Sequence, residues 1–294
     1  MNTRCIISVL LLGFYFGGYS APAENLEQAL RSKAMKGDAK AQYSLGLMYC
    51  EGKGVKPNDK EARKWIRKAA ENGDSEAQLY LGGMYNSGLC GLLDAKESVK
   101  WTRKAAEQDN AVAQYRLGRE YLSGGSCVSK DVSEAVKWIR KAADQGYAVA
   151  QYNLGLMYAK GVGVPNDAVE ALKWNRKAAD QGYAKAQLRL GMMNYDGHGV
   201  PQFDASEIRS QLFTREENIR MIESSLQGKD RMTYADGEGL PRDYVEAAKW
   251  FNKAAEQGNM DAQCYLGEMN KNGKGVPLDI IESTKWYKAG ARSL

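Results

Sequence analysis

Apolar residues along this chain follow two alternating helical patterns. In the first, Ala41, Leu45 and Met48 make a stripe within residues 41–49. In the second, Ala62, Trp65, Ile66 and Ala69 stand at i, i+3, i+4 and i+7, with Arg63, Lys64, Arg67 and Lys68 on the opposite side. Each such pair predicts a helical hairpin, with a first helix A and a second helix B. The six tryptophans, Trp65, Trp101, Trp138, Trp174, Trp250 and Trp286, are spaced 36, 37, 36, 76 and 36 residues apart, so the hairpin repeats with a period near 36 and one tryptophan is missing. Their surroundings return with them: Lys64-Trp65-Ile66-Arg67-Lys68-Ala69-Ala70 reappears as Lys137-Trp138-Ile139-Arg140-Lys141-Ala142-Ala143.

The start of helix B is explicit. Seven residues before each tryptophan stands Asn58, Asp94, Asp131, Asp167, Asp243 or Asp279, and three residues later comes Glu61, Glu97, Glu134, Glu170, Glu246 or Glu282. This is capping-box spacing: the first side chain accepts from the N3 amide and the glutamate reaches back to the cap amide. A carboxylate pair present in every repeat is structural rather than a catalytic acid pair. Inside helix A lie Gly46, Gly82, Gly118, Gly155, Gly191 and Gly267. Each costs about 1 kcal/mol relative to alanine, which close approach of the tryptophan on helix B is expected to offset. Loops such as Gly161-Val162-Gly163-Val164-Pro165 are turns; no strand precedes them and no Gly-Lys-Ser/Thr follows, as a phosphate-binding loop requires.

Behind Arg4, residues Cys5 to Tyr19 are almost wholly apolar and lead into Ala21-Pro22-Ala23. That is the layout of a secretory signal peptide over residues 1–23, a retained signal anchor being the other reading. The apolar core is shorter than the roughly 20 residues of a membrane span, and no cysteine at the cleavage point marks a lipoprotein. The mature chain is then exported, periplasmic or secreted, with no membrane insertion after cleavage. A composition of 44% hydrophobic and 26% charged residues is globular, and 41 basic against 36 acidic residues give +5, too mild and dispersed for a nucleic-acid footprint.

Little in the chain suggests chemistry. The single histidine, His198, occupies a loop slot filled by Lys53 and Val162 elsewhere and reads as a loop residue, which argues against most zinc enzymes and hydrolases. A cell-wall-active enzyme or penicillin-binding, β-lactamase-like protein is the alternative function, yet no serine has lysine three residues on, and Lys288-Ala289-Gly290 is the nearest approach to Lys-Thr-Gly. No catalytic residue, metal site or cofactor is expected.

The Ala-Gln-x-x-Leu-Gly of helix A (Ala41, Gln42, Leu45 and Gly46), the Gly-x-Gly-Val-Pro loop, the pair Ala62 and Trp65, and the Lys-Ala-Ala-x-x-Gly ending resemble the Sel-one-like repeat (SLR) family, a relative of the tetratricopeptide repeat, over about residues 37–294. The resemblance implies a right-handed, all-α solenoid of about seven helix-turn-helix repeats that binds a protein partner without catalysis, as an envelope adaptor, a regulator of a sensor or a host-directed factor. The organisation expected is a lead-in helix over 24–36, four regular units over 37–181, two degenerate units over 182–257 and a last unit over 258–294. From Phe203 to Met232 every repeat signature is lost; decay of a repeat and a purposeful kink or insert fit equally well.

Comparing the repeats with one another suggests a recognition face. The slot of Ser44 holds Tyr80, Arg116, Asn153, Arg189 and Tyr265, and that of Leu47 holds Gly83, Arg119, Leu156, Met192 and Glu268. With the Lys40 slot they form one stripe at i, i+4 and i+7, too variable to be fixed by the common core. The family resemblance implies that first helices line the concave side. Tyr80, Arg116, Arg119, Asn153, Arg189 and Tyr265 are therefore the candidate partner contacts, since Tyr and Arg dominate interface hot spots; an ordinary solvated face is the alternative. Cys90 and Cys127 occupy equivalent loop positions, each 11 residues before a tryptophan. Either their loops bend together into a disulfide, or the two stay thiols about 10 Å apart, beyond the roughly 7 Å a bridge spans. Cys264 fills the slot of Tyr43 and is expected to be a packed thiol.

Overall fold

The computed structural model describes residues 23–124, 127–196 and 242–291. These residues form an all-α solenoid of helical hairpins with 13 helices and, among the described residues, no strand. Helix α1 spans Ala23–Met35. The A helices are α2 (Ala39–Glu51), α4 (Ser75–Ser87), α6 (Ala111–Ser123), α8 (Ala148–Lys160), α10 (Ala184–Asp196) and α12 (Met260–Asn272). The B helices are α3 (Asp59–Glu71), α5 (Ala95–Glu107), α7 (Val132–Asp144), α9 (Ala168–Asp180), α11 (Tyr244–Glu256) and α13 (Ile280–Ala291). The chain divides into two compact units, residues 1–77 and 78–294. Residues 1–22, which hold most of the expected signal segment, His198 and the stretch from Phe203 to Met232 lie outside the described residues.

In the first unit α2 and α3 pair as a hairpin and α1 packs on α2. Helix α1 has the register of a B helix. Its Arg31 donates to Tyr49 across 18 residues, as Arg103 donates to Tyr121 and Arg140 to Tyr158 in the second unit. Gln42 likewise donates to the Ala34 carbonyl eight residues back, as Gln114 does to Ala106. The lead-in helix is thus half a repeat, which covers the open side of α2 as a terminal cap does in repeat arrays.

The second unit stacks its hairpins through successive apolar clusters. Trp138 joins a cluster built on Ala105, Ala113 and Leu117, and Trp174 joins one built on Ile139, Leu154 and Met157. Interior glycines permit the close approach foreseen, but their contact is the residue after each tryptophan. A Cβ on Gly118 would lie 2.7 Å from Ile139 and 3.1 Å from the Ala135 carbonyl, and one on Gly155 would lie 2.7 Å from Asn175. The B-helix caps hold as expected, with Asp131 accepting from the Ser133 and Glu134 amides. The glutamate does not reach back. The cap amide of Asp131 instead donates to the Tyr121 carbonyl of the preceding A helix, and Glu134 pairs with Lys137 at 2.6 Å. In α5, Glu97 also accepts from the indole of Trp101 at 2.9 Å. A carbonyl already held at the end of helix A wins the cap amide, which frees the glutamate for its own helix face.

A ladder of buried amides fixes the step from hairpin to hairpin. Gln151 donates to the Ala143 carbonyl of the previous B helix and accepts from Gln181 at the end of its own. Gln187 repeats this, donating to Ala179 and accepting from Gln257, although Gln187 and Gln257 are 70 residues apart where Gln151 and Gln181 are 30. The cap amide of Asp243 donates to Asn194 as that of Asp167 does to Tyr158. Of the two units expected over 182–257, residues 197–241 lie outside the described residues; the two described helices of the stretch, α10 and α11, pack on each other.

Candidate partner-binding surface

The A helices of the second unit hold the candidate residues, and the structure gathers some of them while dispersing others. Arg116, Arg119 and Asn153 come together. Asn153 donates through Nδ2 to the Tyr115 hydroxyl at 3.1 Å and to the Val149 carbonyl at 2.7 Å. The Arg119 guanidinium lies over the Tyr115 ring, 5.8 Å from its centroid. A Cβ on Gly83 would be 3.5 Å from Arg116 Nη1, so the small residue of α4 leaves room for that guanidinium to lie across it. Tyr80 is half-buried on α4.

Two candidates stand apart. Arg189 is 3% exposed, so it belongs to the interior rather than to a solvated face. Tyr265 stacks on buried Phe251 at 4.6 Å between centroids and meets Tyr195 edge-on at 5.6 Å. It belongs to a second aromatic cluster, in which Lys274 donates to Tyr195 and sits over the rings of Tyr195 and Tyr244.

The sequence reading passed over the tyrosines that frame the first cluster. Tyr147 meets Tyr115 edge-on at 5.6 Å, and Tyr183 meets Tyr152 at 5.4 Å. Burial raises the pKa of Tyr115, with Arg119 opposing; burial also raises that of Tyr147, against the pull of Arg116 and Arg119. Burial raises Tyr183 too. At neutral pH these hydroxyls are therefore uncharged groups that can donate and accept. Their position carried a signal. Tyr147 and Tyr183 occupy the slot where Asp38, Asp74, Asn110 and Asn259 cap their A helices. Tyr147 makes no side-chain cap bond, which forgoes about 0.5–2 kcal/mol. A local rule broken twice in succession marks the fourth and fifth hairpins as different.

The remaining chemistry is sparse. Among the described residues no group of three His, Cys, Asp or Glu could hold a metal ion. The disulfide considered for Cys90 and Cys127 is not formed. Cys90 is buried in a 3₁₀ turn, Leu89–Gly91, with φ of 55°, while Cys127 packs against α5 beside Lys96, Lys100, Arg103 and Lys104. Cys264 is exposed rather than packed, lying beside the small Gly290.

Seven stretches of the chain match the Sel1 repeat: 39–74, 75–110, 111–147, 148–183, 184–207, 228–259 and 261–293. The chain belongs to the Sel1 repeat family. The fifth and sixth Sel1 matches contain α10 and α11, the two helices that pair across the longer connection. Among solved structures, a Sel1 repeat protein from Oxalobacter formigenes is similar at 29% identity and a TM-score of 0.69, over 92% of this chain and 98% of that one. The c5321 protein, a protective antigen of uropathogenic Escherichia coli with an SLR fold, is similar at 32% identity and a TM-score of 0.59 over 91% of this chain, which spans 56% of its length. No curated protein sequence matches. Sel1 repeat proteins generally mediate protein–protein interaction and are typically non-enzymatic, which is consistent with a scaffold. Among the described residues no helix is long and apolar enough to cross a membrane.

Proposed function

We propose that this Sel1 repeat protein is an exported, non-enzymatic scaffold that holds a protein partner on the A-helix face of α6, α8 and the start of α10. The observation that carries the reading is the cluster of Tyr115, Arg116, Arg119, Tyr147 and Asn153, which stands on slots that vary between repeats and replaces a helix cap by an aromatic ring. Tyrosine offers a large rigid surface at low entropic cost, and arginine offers a planar fork of donors. Export rests on the apolar segment behind Arg4 and the small residues before Glu24; it predicts a mature N-terminus at Glu24 on sequencing of the native protein, and an intact Met1 in the cytoplasmic fraction would refute it. The binding reading is tested by immobilising residues 24–294 and identifying captured proteins by mass spectrometry, from an envelope extract beside a secreted or host-fluid sample. A saturable partner lost on Tyr115→Ala and Tyr147→Ala is the expected result, and its source gives the compartment. A partner retained by those variants would overturn the assignment of the face.

A further inference from the structure

Two tyrosine pairs on the proposed face are copies of one another. Tyr115 meets Tyr147 edge-on with centroids 5.6 Å apart and planes inclined by 65°, and Tyr152 meets Tyr183 at 5.4 Å and 63°. Tyr152 occupies the slot of Tyr115 one repeat on, and Tyr183 that of Tyr147, so the pairs stand one hairpin step apart. The flanking repeats hold Leu79 with Asn110 and Leu188 with Asn259 in the same slots, which limits the arrangement to two pairs. The Tyr183 hydroxyl lies within electrostatic reach of those of Tyr115, Tyr147 and Tyr152, so both pairs belong to one patch. Tyr115, Tyr147 and Tyr183 are half-buried, and Tyr152 is buried behind Tyr183.

Rings so inclined bound a notch in which a compact aliphatic ring can lie against aromatic surface. A spare donor stands beside the first notch. The Tyr115 hydroxyl accepts from Asn153 at 3.1 Å and from Arg119. A hydroxyl has two lone pairs and one proton, so with both lone pairs taken its proton is left for a further acceptor. The ligand that fits carries rings at the hairpin step and carbonyls free to accept. Packed helices stand roughly 8–10 Å apart. A β-strand returns a side chain to one face about every 6.7 Å, which misses that step. An α-helix rises about 10.5 Å over seven residues, but its carbonyls are occupied within the helix. A polyproline II chain repeats every three residues, about 9 Å, and bonds none of its own carbonyls. It alone meets both conditions.

Resting on the proposed binding face, we infer that the partner presents a proline-rich segment in the polyproline II conformation, with two prolines three residues apart against the Tyr115–Tyr147 and Tyr152–Tyr183 pairs and a backbone carbonyl accepting from the Tyr115 hydroxyl. Such a chain is extended before it binds, which lowers the ordering cost. Fluorescence anisotropy tests this on residues 24–294 with three labelled 12-residue peptides: one with four prolines at every third position, one of the same composition with them at alternate positions, and one with alanine for proline. The first binds at least tenfold more tightly than the alanine peptide and at least threefold more tightly than the alternate one. Tyr147→Ala with Tyr183→Ala removes at least tenfold of that affinity, and Tyr147→Phe with Tyr183→Phe, which keeps both rings, retains most of it. Tyr115→Phe, which loses the donor, costs threefold or more. Tyr158→Phe, on α8 outside the pairs, changes affinity less than twofold.

Equal binding of the three peptides would overturn the inference, as would equal effects of Tyr115→Phe and Tyr158→Phe in variants with unchanged melting curves. Binding of an N-acetylglucosamine hexasaccharide, with no preference among the peptides, would overturn it too and assign the rings to a sugar chain. Capture of a protein partner that depends on Tyr115 and Tyr147, with no preference for the proline peptides, would leave the binding face standing and remove only its polyproline ligand. Capture independent of both tyrosines would remove the face as well.

Discussion

Helices A and B of the second unit are built to different rules. Every B helix from α5 to α11 repeats an acidic cap, a Glu–Lys pair and a lysine over a tryptophan, and buries a set of alanines. The A helices keep only the stripe and the amide that fix the step between hairpins. Their other side changes with every repeat: Tyr80, Arg116, Asn153 and Tyr265 share one slot. A layer that must repeat in order to stack carries the fold, and a layer released from that duty can carry recognition.

Substitutions that invert those duties would break the comparison. Ile139→Ala, fully buried on α7, is expected to cost about 2–5 kcal/mol in urea unfolding. The exception in the B layer sharpens it: Asn175 is fully buried where Ile66 and Ile139 stand in other repeats, and its Oδ1 has no partner. Asn175→Ile is expected to raise stability by about 1–3 kcal/mol, read from the same urea curves. Gly118→Ala sets overpacking against Ile139 and the Ala135 carbonyl against a gain of about 1 kcal/mol in helix preference. A net loss of about 1–2 kcal/mol is expected.

Alkaline pH probes the A layer itself. Burial raises the pKa of Tyr115, Tyr147 and Tyr183 above the ordinary value of about 10, so the folded state favours the neutral hydroxyl. Their stabilising share is complete below about pH 10 and is lost as pH rises through the folded-state pKa values. The urea midpoint should begin to fall only above about pH 10, and Tyr147→Phe should make that fall shallower. The smallest change is expected from Arg119→Gln, within about 0.5 kcal/mol by thermal melt, since a half-buried side chain on a variable slot carries little of the stack.

The repeat, its helices and its caps were legible because each is written six times, so a period shows through single exceptions. What stayed hidden depended on competition between partners. Glu134 has the spacing of a capping box, yet the Tyr121 carbonyl takes the amide it would have reached, and only the position of the preceding helix end reveals this. Arg189 looked like its slot-mates Arg116 and Asn153, but its burial depends on what packs around α10, where the sequence interval is interrupted. Tyr147 and Tyr183 went unnoticed because they precede their helices and lie outside the stripe being compared. Only the structure shows Tyr147 meeting Tyr115, a residue of the previous hairpin.

The amide ladder gives the array a form of addressing that ignores sequence distance. Gln187 finds Gln257 across 70 residues with the same bond that other units make across 30, so the hairpin is defined by its two ends and not by the length of chain joining them. An A–B junction of this protein is consequently a port. Foreign sequence can be inserted there, by evolution or by an engineer, while the stacked hairpins on either side keep their step.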